Sequence, residues 1–424
     1  MYKVDRITES CTKLSYGNLA AWYDNESLEV FASKPPLSNQ MLKSKSIIDL
    51  AADSPFPDSN RRKHLSRLTI NVSKSCNLRC EYCYAEYGKY GQNSSSAEIN
   101  DITETMVATV RYYHTIDQIQ FFGGEPLLAF DKIRAVVLIF GEAYRNKLIT
   151  KLPRFTVVTN GTLLLKPNII DFLKDNGFHI TVSCDGNEEI TNILRPSIKK
   201  GISTYKLIID GITEARNAGL SVAIESTYTS SHQLHNIKVM DIIDHFNNDL
   251  SISSVHVSPA AYSEFGDFRP NKEQAQNDFF EAALESSKRL KSSRTGVLES
   301  VLEVFENLSK RAAVKGYCPA YTSQLSLDVN GNAYPCFMSM SIGNNNLGSL
   351  VNSDWPNNQS KNVYGNYIFQ MSEGDLSTKH KVWYDSLLAG CAAADLLSNN
   401  RFGQDADAEI HESIIVGSIL GLCA

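Results

Sequence analysis

Short runs of β-branched and aromatic residues recur along the chain from about residue 66. They are "RLTINVS" at 67–73, "QIQFFGG" at 118–124, "RFTVVTNG" at 154–161, "HITVSCDG" at 179–186, "LSVAIEST" at 220–227 and "SSVHVSP" at 253–259. Between them lie longer stretches whose apolar positions return at helical spacing, such as "EINDITETMVATVRYYH" at 98–114, "PNIIDFLKDNG" at 167–177 and "YKLIIDGITEARNAG" at 205–219. Strand side chains alternate between faces and helical ones return every third or fourth position, so the two rhythms can be told apart. Strand and helix alternate six times, with turn residues at the strand ends. That predicts repeated βα units on a parallel sheet. Six units fall short of the eight of a closed TIM barrel. The fold class expected is α/β, an open, partial (β/α)6 TIM-like barrel over 66–271.

The flanks follow other rhythms. The first 50 residues or so read as short strands ("LAAWYDNESLEVFAS") and a helical "MLKSKSIIDLAA", then a break at "DSPFPDSNRRKH". This predicts a small N-terminal α+β segment and linker over 1–65. Helical patterns in "NKEQAQNDFFEAALESSKRLKSS" and "GVLESVLEVFENLSKRAAV" predict a connector over 272–315. Residues 316–424 are loop-rich and Asn-rich, with "LDVNGNAYPC" reading as a hairpin about an Asn-Gly turn.

The apolar tail "SIIVGSILGLCA" is shorter than the roughly 18 residues of a membrane span and predicts a buried helix. The opening "MYKVDRITESCTK" has no apolar core of a signal peptide. A cytoplasmic location with no membrane partner is therefore expected. A net charge of −6 leaves no electrostatic footprint for nucleic acid, and the basic run "RRKHLSR" at 61–67 reads as a solvated linker. A hydrophobic share of 42% beside 21% charged residues marks a folded protein. In a reducing compartment the nine cysteines point to metal or redox chemistry wherever they cluster.

They cluster at "SCNLRCEYCYAEYG", residues 75–88, where Cys76, Cys80 and Cys83 follow a strand end. A backbone reversal there can bring three sulfurs to one centre. A four-iron cluster that only carries electrons takes a thiolate at each iron, so three thiolates leave one iron open to a substrate or cofactor. A zinc site completed from a distance, or three structural thiols, would be the alternatives. Zinc sites favour paired cysteine knuckles, and no local partner pair exists.

The C-x3-C-x-aromatic-C spacing, with Tyr82 at the aromatic position, resembles the signature of the radical S-adenosylmethionine (radical SAM) superfamily. The resemblance extends over roughly 66–260. "FFGGEP" at 121–126 is similar to the family's GGEP segment, which implies that Gly123, Gly124 and Glu125, followed by Pro126, meet the SAM amino group. "VVTNGTLL" is similar to the third strand end, with Asn160 near the pocket. "SCDG" resembles the fourth, which implies Ser183 at the ribose and Arg195 on the SAM carboxylate, where a planar guanidinium bonds bidentately. Cys184 and Cys11 read as buried core thiols. The cofactors implied are a SAM-binding [4Fe–4S] cluster and S-adenosyl-L-methionine. The activity implied is reductive SAM cleavage to a hydrogen-abstracting 5′-deoxyadenosyl radical.

"CPAYTSQLSLDVNGNAYPC" places Cys318, Gly331 and Cys336 in a spacing similar to the start of the SPASM or twitch extension, which carries auxiliary clusters. A full SPASM domain continues with further cysteines, whereas Cys391 here is followed by Ala394, Asn400 and Gln404 at the matching spacings. One auxiliary [4Fe–4S] cluster on Cys318, Cys336, Cys391 and Cys423 is expected. The extension implies a maturase of a ribosomally made precursor peptide, installing a thioether or carbon–carbon crosslink, with a flavodoxin or ferredoxin-type electron donor. The first 50 residues could dock a leader peptide by strand addition or simply cap the barrel. An anaerobic sulfatase-maturing, formylglycine-generating enzyme is the alternative. Phe337 and Met338 after Cys336, where that group has an Asp, count against it. A radical SAM enzyme of a small molecule is a third reading. A general base is expected among Glu225, Asp185 and Asp328.

Overall fold

The computed structural model describes residues 1–7, 11–24, 27–32, 64–90, 99–261, 267–310, 320, 323–341, 345–351, 391 and 407–424. The helix expected at "MLKSKSIIDLAA", most of the linker and Cys318 lie outside the described residues.

Six strands form the core: β5 (His64–Ser73), β6 (Thr115–Gly123), β7 (Arg154–Thr159), β8 (His179–Ser183), β9 (Ser221–Tyr228) and β10 (Ser254–Pro259). They pair in parallel in the order of the sequence. Helices α1 (Ile99–Tyr112), α2 (Phe130–Arg145), α3 (Ile169–Asp175), α4 (Glu188–Leu194), α5 (Thr204–Asn217), α6 (Ser230–Leu234) and α7 (Val239–Asp244) lie in the crossovers. The expected βα alternation is thus the core of the molecule. Alternate strand positions such as Leu68, Ile119, Phe121, Phe155, Val157, Ile180 and Val182 are buried in one apolar core.

The opposite face is polar, unlike the filled interior of a closed barrel. Thr69 donates to Gln120 Oε1 at 3.1 Å, Gln118 Nε2 donates to Thr156 at 3.0 Å, and Arg67 Nε donates to a Gln324 carbonyl oxygen at 2.7 Å. A face lined by paired polar groups suits a polar ligand better than further apolar packing.

Three further strands extend the sheet to nine. β11 (Val297–Leu298) pairs parallel to β10, and β12 (Gln324–Leu327) pairs parallel to β5, with β13 (Ala333–Tyr334) antiparallel on β12. The expected Asn-Gly hairpin exists, but its first strand joins the barrel's own sheet. Asp328 holds its turn, accepting from the Asn330 and Asn332 amides at 2.9 Å each.

The N-terminal strands β1 (Lys3–Arg6), β2 (Cys11–Tyr16), β3 (Leu19–Asp24) and β4 (Glu29–Phe31) form an antiparallel meander. It packs on two long helices, α8 (Lys272–Lys291) and α10 (Ala408–Cys423). Tyr2 and Tyr16 meet the Phe280 ring at 5.0 and 4.8 Å, and Tyr2 shares a 3.1 Å hydrogen bond with Ser413. The tail is a buried helix, as expected. It lies so close to α8 that a Cβ at Gly417 would stand 2.6 Å from the Phe280 carbonyl oxygen. Between them in sequence, α9 (Glu299–Lys310) follows β11 directly. Among the described residues no helix is long and apolar enough to cross a membrane.

Candidate active site

The loop after β5 carries Cys76, Cys80 and Cys83, and three seams hold it. Gly124 N–H donates to Ser73 at 2.8 Å and Glu125 N–H to Ser75 at 2.9 Å. Arg79 and Glu81 donate their amides to Pro196 and Leu194 at 2.9 and 3.0 Å. Asn77, Asn160 and Thr162 close a ring: Asn160 Nδ2 donates to Asn77 at 2.9 Å, Asn77 Nδ2 to Thr162 at 2.8 Å, and Thr162 Oγ1 to Asn160 at 2.7 Å. The first seam needs glycine. A Cβ at Gly124 would sit 2.6 Å from both the Ser75 and Tyr87 carbonyl oxygens, and one at Gly88 (φ +97°) would sit 2.5 Å from Gly124 Cα.

Each sulfur meets a donor. Cys76 accepts from the Leu78 amide at 3.4 Å and from Asn160 Nδ2 at 3.8 Å, Cys83 from the Tyr87 amide at 3.2 Å, and Cys80 from Arg195 Nη1 at 4.0 Å. The three thiols also act electrostatically on one another. Burial pushes Cys76 up to about 11 and Cys80 up to about 12, so both are held as thiols until a cation draws off the proton. Among the described residues no three His, Cys, Asp or Glu side chains are placed to hold a single metal ion. The donor set fits an iron–sulfur cluster instead, because each cysteine of a cluster binds its own iron and hydrogen bonds to the sulfurs are the usual tuning element.

Several residues expected around SAM lie beside this loop, held by groups of the chain itself. Arg195 is buried and paired with Asp185 through Nε at 2.8 Å and Nη2 at 3.0 Å. Tyr82 donates to Asp185 at 2.7 Å, and its ring lies 5.4 Å from the guanidinium carbon. Arg195 therefore holds a carboxylate of the chain itself. Asp185 also accepts the Thr227 amide at 3.1 Å and is wholly buried. Asp328 is buried and bound to its own turn.

Glu125 is likewise held by the chain itself. It is wholly buried and accepts from Thr159 at 2.7 Å, the Asn160 amide at 2.8 Å and the Leu127 amide at 2.9 Å. The carboxylate thus ties β6 to β7; burial pushes it up to about 7 despite these donors. Pro126 is buried at the start of the short turn that follows. Ser183 is half-buried and lies in register beside Glu225 of β9. Glu225 has 38% of its side chain exposed, which leaves it the accessible carboxylate of the three base candidates.

Of the expected auxiliary ligands, Cys336, Cys391 and Cys423 lie among the described residues. Cys336 is buried beside Tyr84 and Tyr90, whose other neighbour is Cys83. The Phe337 ring packs 4.4 Å from Phe122. Cys423 ends α10 and feels the Lys291 ammonium of α8. Cys184 and Cys11 are buried core thiols, as expected.

Asn77, Thr162, Gly88, Tyr87 and Thr227 were not expected at the site. Gly88, which closes the cysteine motif, and Asn77, next to Cys76, carried local signals. Thr227 contributes only its amide, which no side chain announces.

Residues 70–246 match the radical SAM superfamily. The chain is 24% identical over 355 residues, 78% of its length and 88% of the relative's, to a cysteine-type anaerobic sulfatase-maturating enzyme of Clostridium novyi. Across four curated relatives the match spans 58%, 88%, 48% and 42% of their lengths, so whole-protein activities do not carry over directly. Among solved structures, anSMEcpe with bound AdoMet and the Cp18Cys peptide superposes with a TM-score of 0.68 at 17% identity, over 83% of this chain and 95% of that one. Streptococcus suis SuiB bound to the precursor peptide SuiA superposes with a TM-score of 0.53 at 12% identity, over 94% and 97%. At these identities the superpositions show a shared fold.

Proposed function

Because the chain belongs to the radical SAM superfamily, we propose that this enzyme cleaves S-adenosylmethionine reductively and uses the radical to take hydrogen from a precursor peptide, installing a thioether or carbon–carbon crosslink. The observation that carries this reading is the loop whose three cysteine sulfurs each meet a donor beside a buried polar wall. Cys76, Cys80 and Cys83 would hold a [4Fe–4S] cluster, which would supply the electron for reductive cleavage of SAM.

The chain's own residues do the rest. Leu78, Tyr87 and Asn160 direct N–H groups at the sulfurs and stabilise their negative charge. Tyr82, Asp185 and Arg195 form a hydrogen-bonded wall beside Cys80. Glu125 and the Asn77–Asn160–Thr162 ring hold the loop against β6 and β7. In this reading Ser183 contacts the ribose of SAM and Glu225 is the base. Cys318, Cys336, Cys391 and Cys423 are the proposed ligands of an auxiliary cluster, and a flavodoxin or ferredoxin-type protein the electron donor.

A sulfatase-maturating activity is the second reading. It is favoured by the 88% of the Clostridium novyi enzyme that the match spans and disfavoured by Phe337 after Cys336. Reconstituted enzyme, SAM and dithionite, incubated with candidate peptides and read by mass spectrometry, separates the two. Loss of two hydrogens within one peptide supports crosslinking. A hydrazide-reactive aldehyde on a cysteine peptide supports the second reading. Absence of 5′-deoxyadenosine overturns both.

A further inference from the structure

The inward face of the barrel carries a row of ionisable side chains leading away from the cysteine loop. Strand register places Ser183 of β8 beside Glu225 of β9, and Glu225 beside His256 of β10. Val255 pairs with Leu298, so Glu299, the first residue of α9, comes next in the row. His256 Nε2 stands 3.8 Å from Glu225 Oε1, and its Nδ1 stands 3.8 Å from Glu299 Oε2. One imidazole thus bridges two carboxylates, one through each ring nitrogen. Glu225 faces the pocket, where it feels the Arg195 guanidinium. Glu299 is half-exposed beside β11, the strand that ends the sheet on this side.

The groups around the row reinforce it. Ser258 Oγ lies 3.5 Å from Glu225 Oε1. Glu303, one turn along α9, feels both His256 and His411 of α10, and burial pushes Glu225 and Glu303 upward alike. Histidine is the side chain that can accept a proton on one nitrogen while donating from the other near neutral pH. The 3.8 Å gaps are spanned by a small side-chain movement or one bridging water.

We propose that Glu225, His256 and Glu299 form a proton-transfer chain from the pocket beside Ser183 to the open edge of the sheet. The proposal rests on the function above, since forming a crosslink or an aldehyde releases a proton from the substrate. Glu225 takes that proton and passes it to Nε2 of a neutral His256. The Nδ1 proton moves to Glu299, which returns it to water, and a change of tautomer resets the ring.

The test uses the reconstituted full-length holoenzyme labelled with nitrogen-15 in its histidine rings, the His256 signals being those missing from His256→Gln. The chain requires His256 to be neutral and protonated by turns at the pH of the reaction. Each step of the chain uses one ring nitrogen, so Glu225→Gln and Glu299→Gln should each slow exchange of the His256 ring N–H protons with water by at least about tenfold. A ring doubly protonated throughout is a static ion pair and overturns the proposal. Indifference to either substitution overturns it too. The exchange is read without turnover, so a failure to cleave SAM sinks the proposed function and is a separate result.

Discussion

At the loop after β5 every sulfur meets an N–H donor, whereas Cys423 at the end of α10 meets apolar packing and the Lys291 ammonium. Both regions depend on glycine for close approach: Gly124 beneath the cysteine loop, Gly417 and Gly421 along α8. In the first the approach brings hydrogen-bond donors to sulfur. In the second it brings helix backbone to helix backbone. The same close approach therefore gives sulfur two different surroundings, polar donors in one region and apolar packing in the other.

Substitutions can break this contrast. The largest effect is expected from Asp185→Asn, which leaves the buried Arg195 guanidinium without its counter-charge. Loss of one partner of such a pair should cost about 3–5 kcal/mol in urea unfolding. A neutral result would mean that Arg195 finds another anion.

Glu125 sharpens the contrast through pH. Its carboxyl is raised from 4.5 to about 7 in the fold. The stability it contributes is fully present below 4.5 and is lost as pH rises through about 7. The loss amounts to ~3 kcal/mol at most. Unfolding of the iron-free chain at acid and alkaline pH, beside Glu125→Gln, should show that dependence in the wild type alone.

Gly124→Ala and Gly417→Ala should each cost about 1–3 kcal/mol by overpacking. Only Gly124→Ala should also lower iron content after reconstitution, because it displaces the cysteine loop. Equal iron loss in both would erase the distinction between the regions. The smallest effect on stability belongs to Cys423→Ser, within about 1 kcal/mol, with a drop in iron content if it is a ligand. Unchanged iron there would remove Cys423 from the ligand set.

The strands and crossovers were legible because each has its own period, and the runs at 67–73 through 253–259 all became strands of the core. The cysteine loop and its glycine partner were legible because both are local motifs. The pairing of Arg195 with Asp185 was not, since a guanidinium's partner is chosen by the fold and both residues had been assigned other roles. Nor did "QLSL" announce that it would add to β5 across more than two hundred residues of sequence. The row from Ser183 to Glu299 is invisible for the same reason. It exists only in the strand register.

The central claim is that Cys76, Cys80 and Cys83 hold the cluster that cleaves SAM. Wild type and the triple alanine variant, reconstituted anaerobically, should be compared for 5′-deoxyadenosine formed from SAM and dithionite, with iron measured alongside. The account predicts 5′-deoxyadenosine from the wild type and none from the variant, which should keep only the iron of an auxiliary cluster. Undiminished 5′-deoxyadenosine from the variant would contradict it.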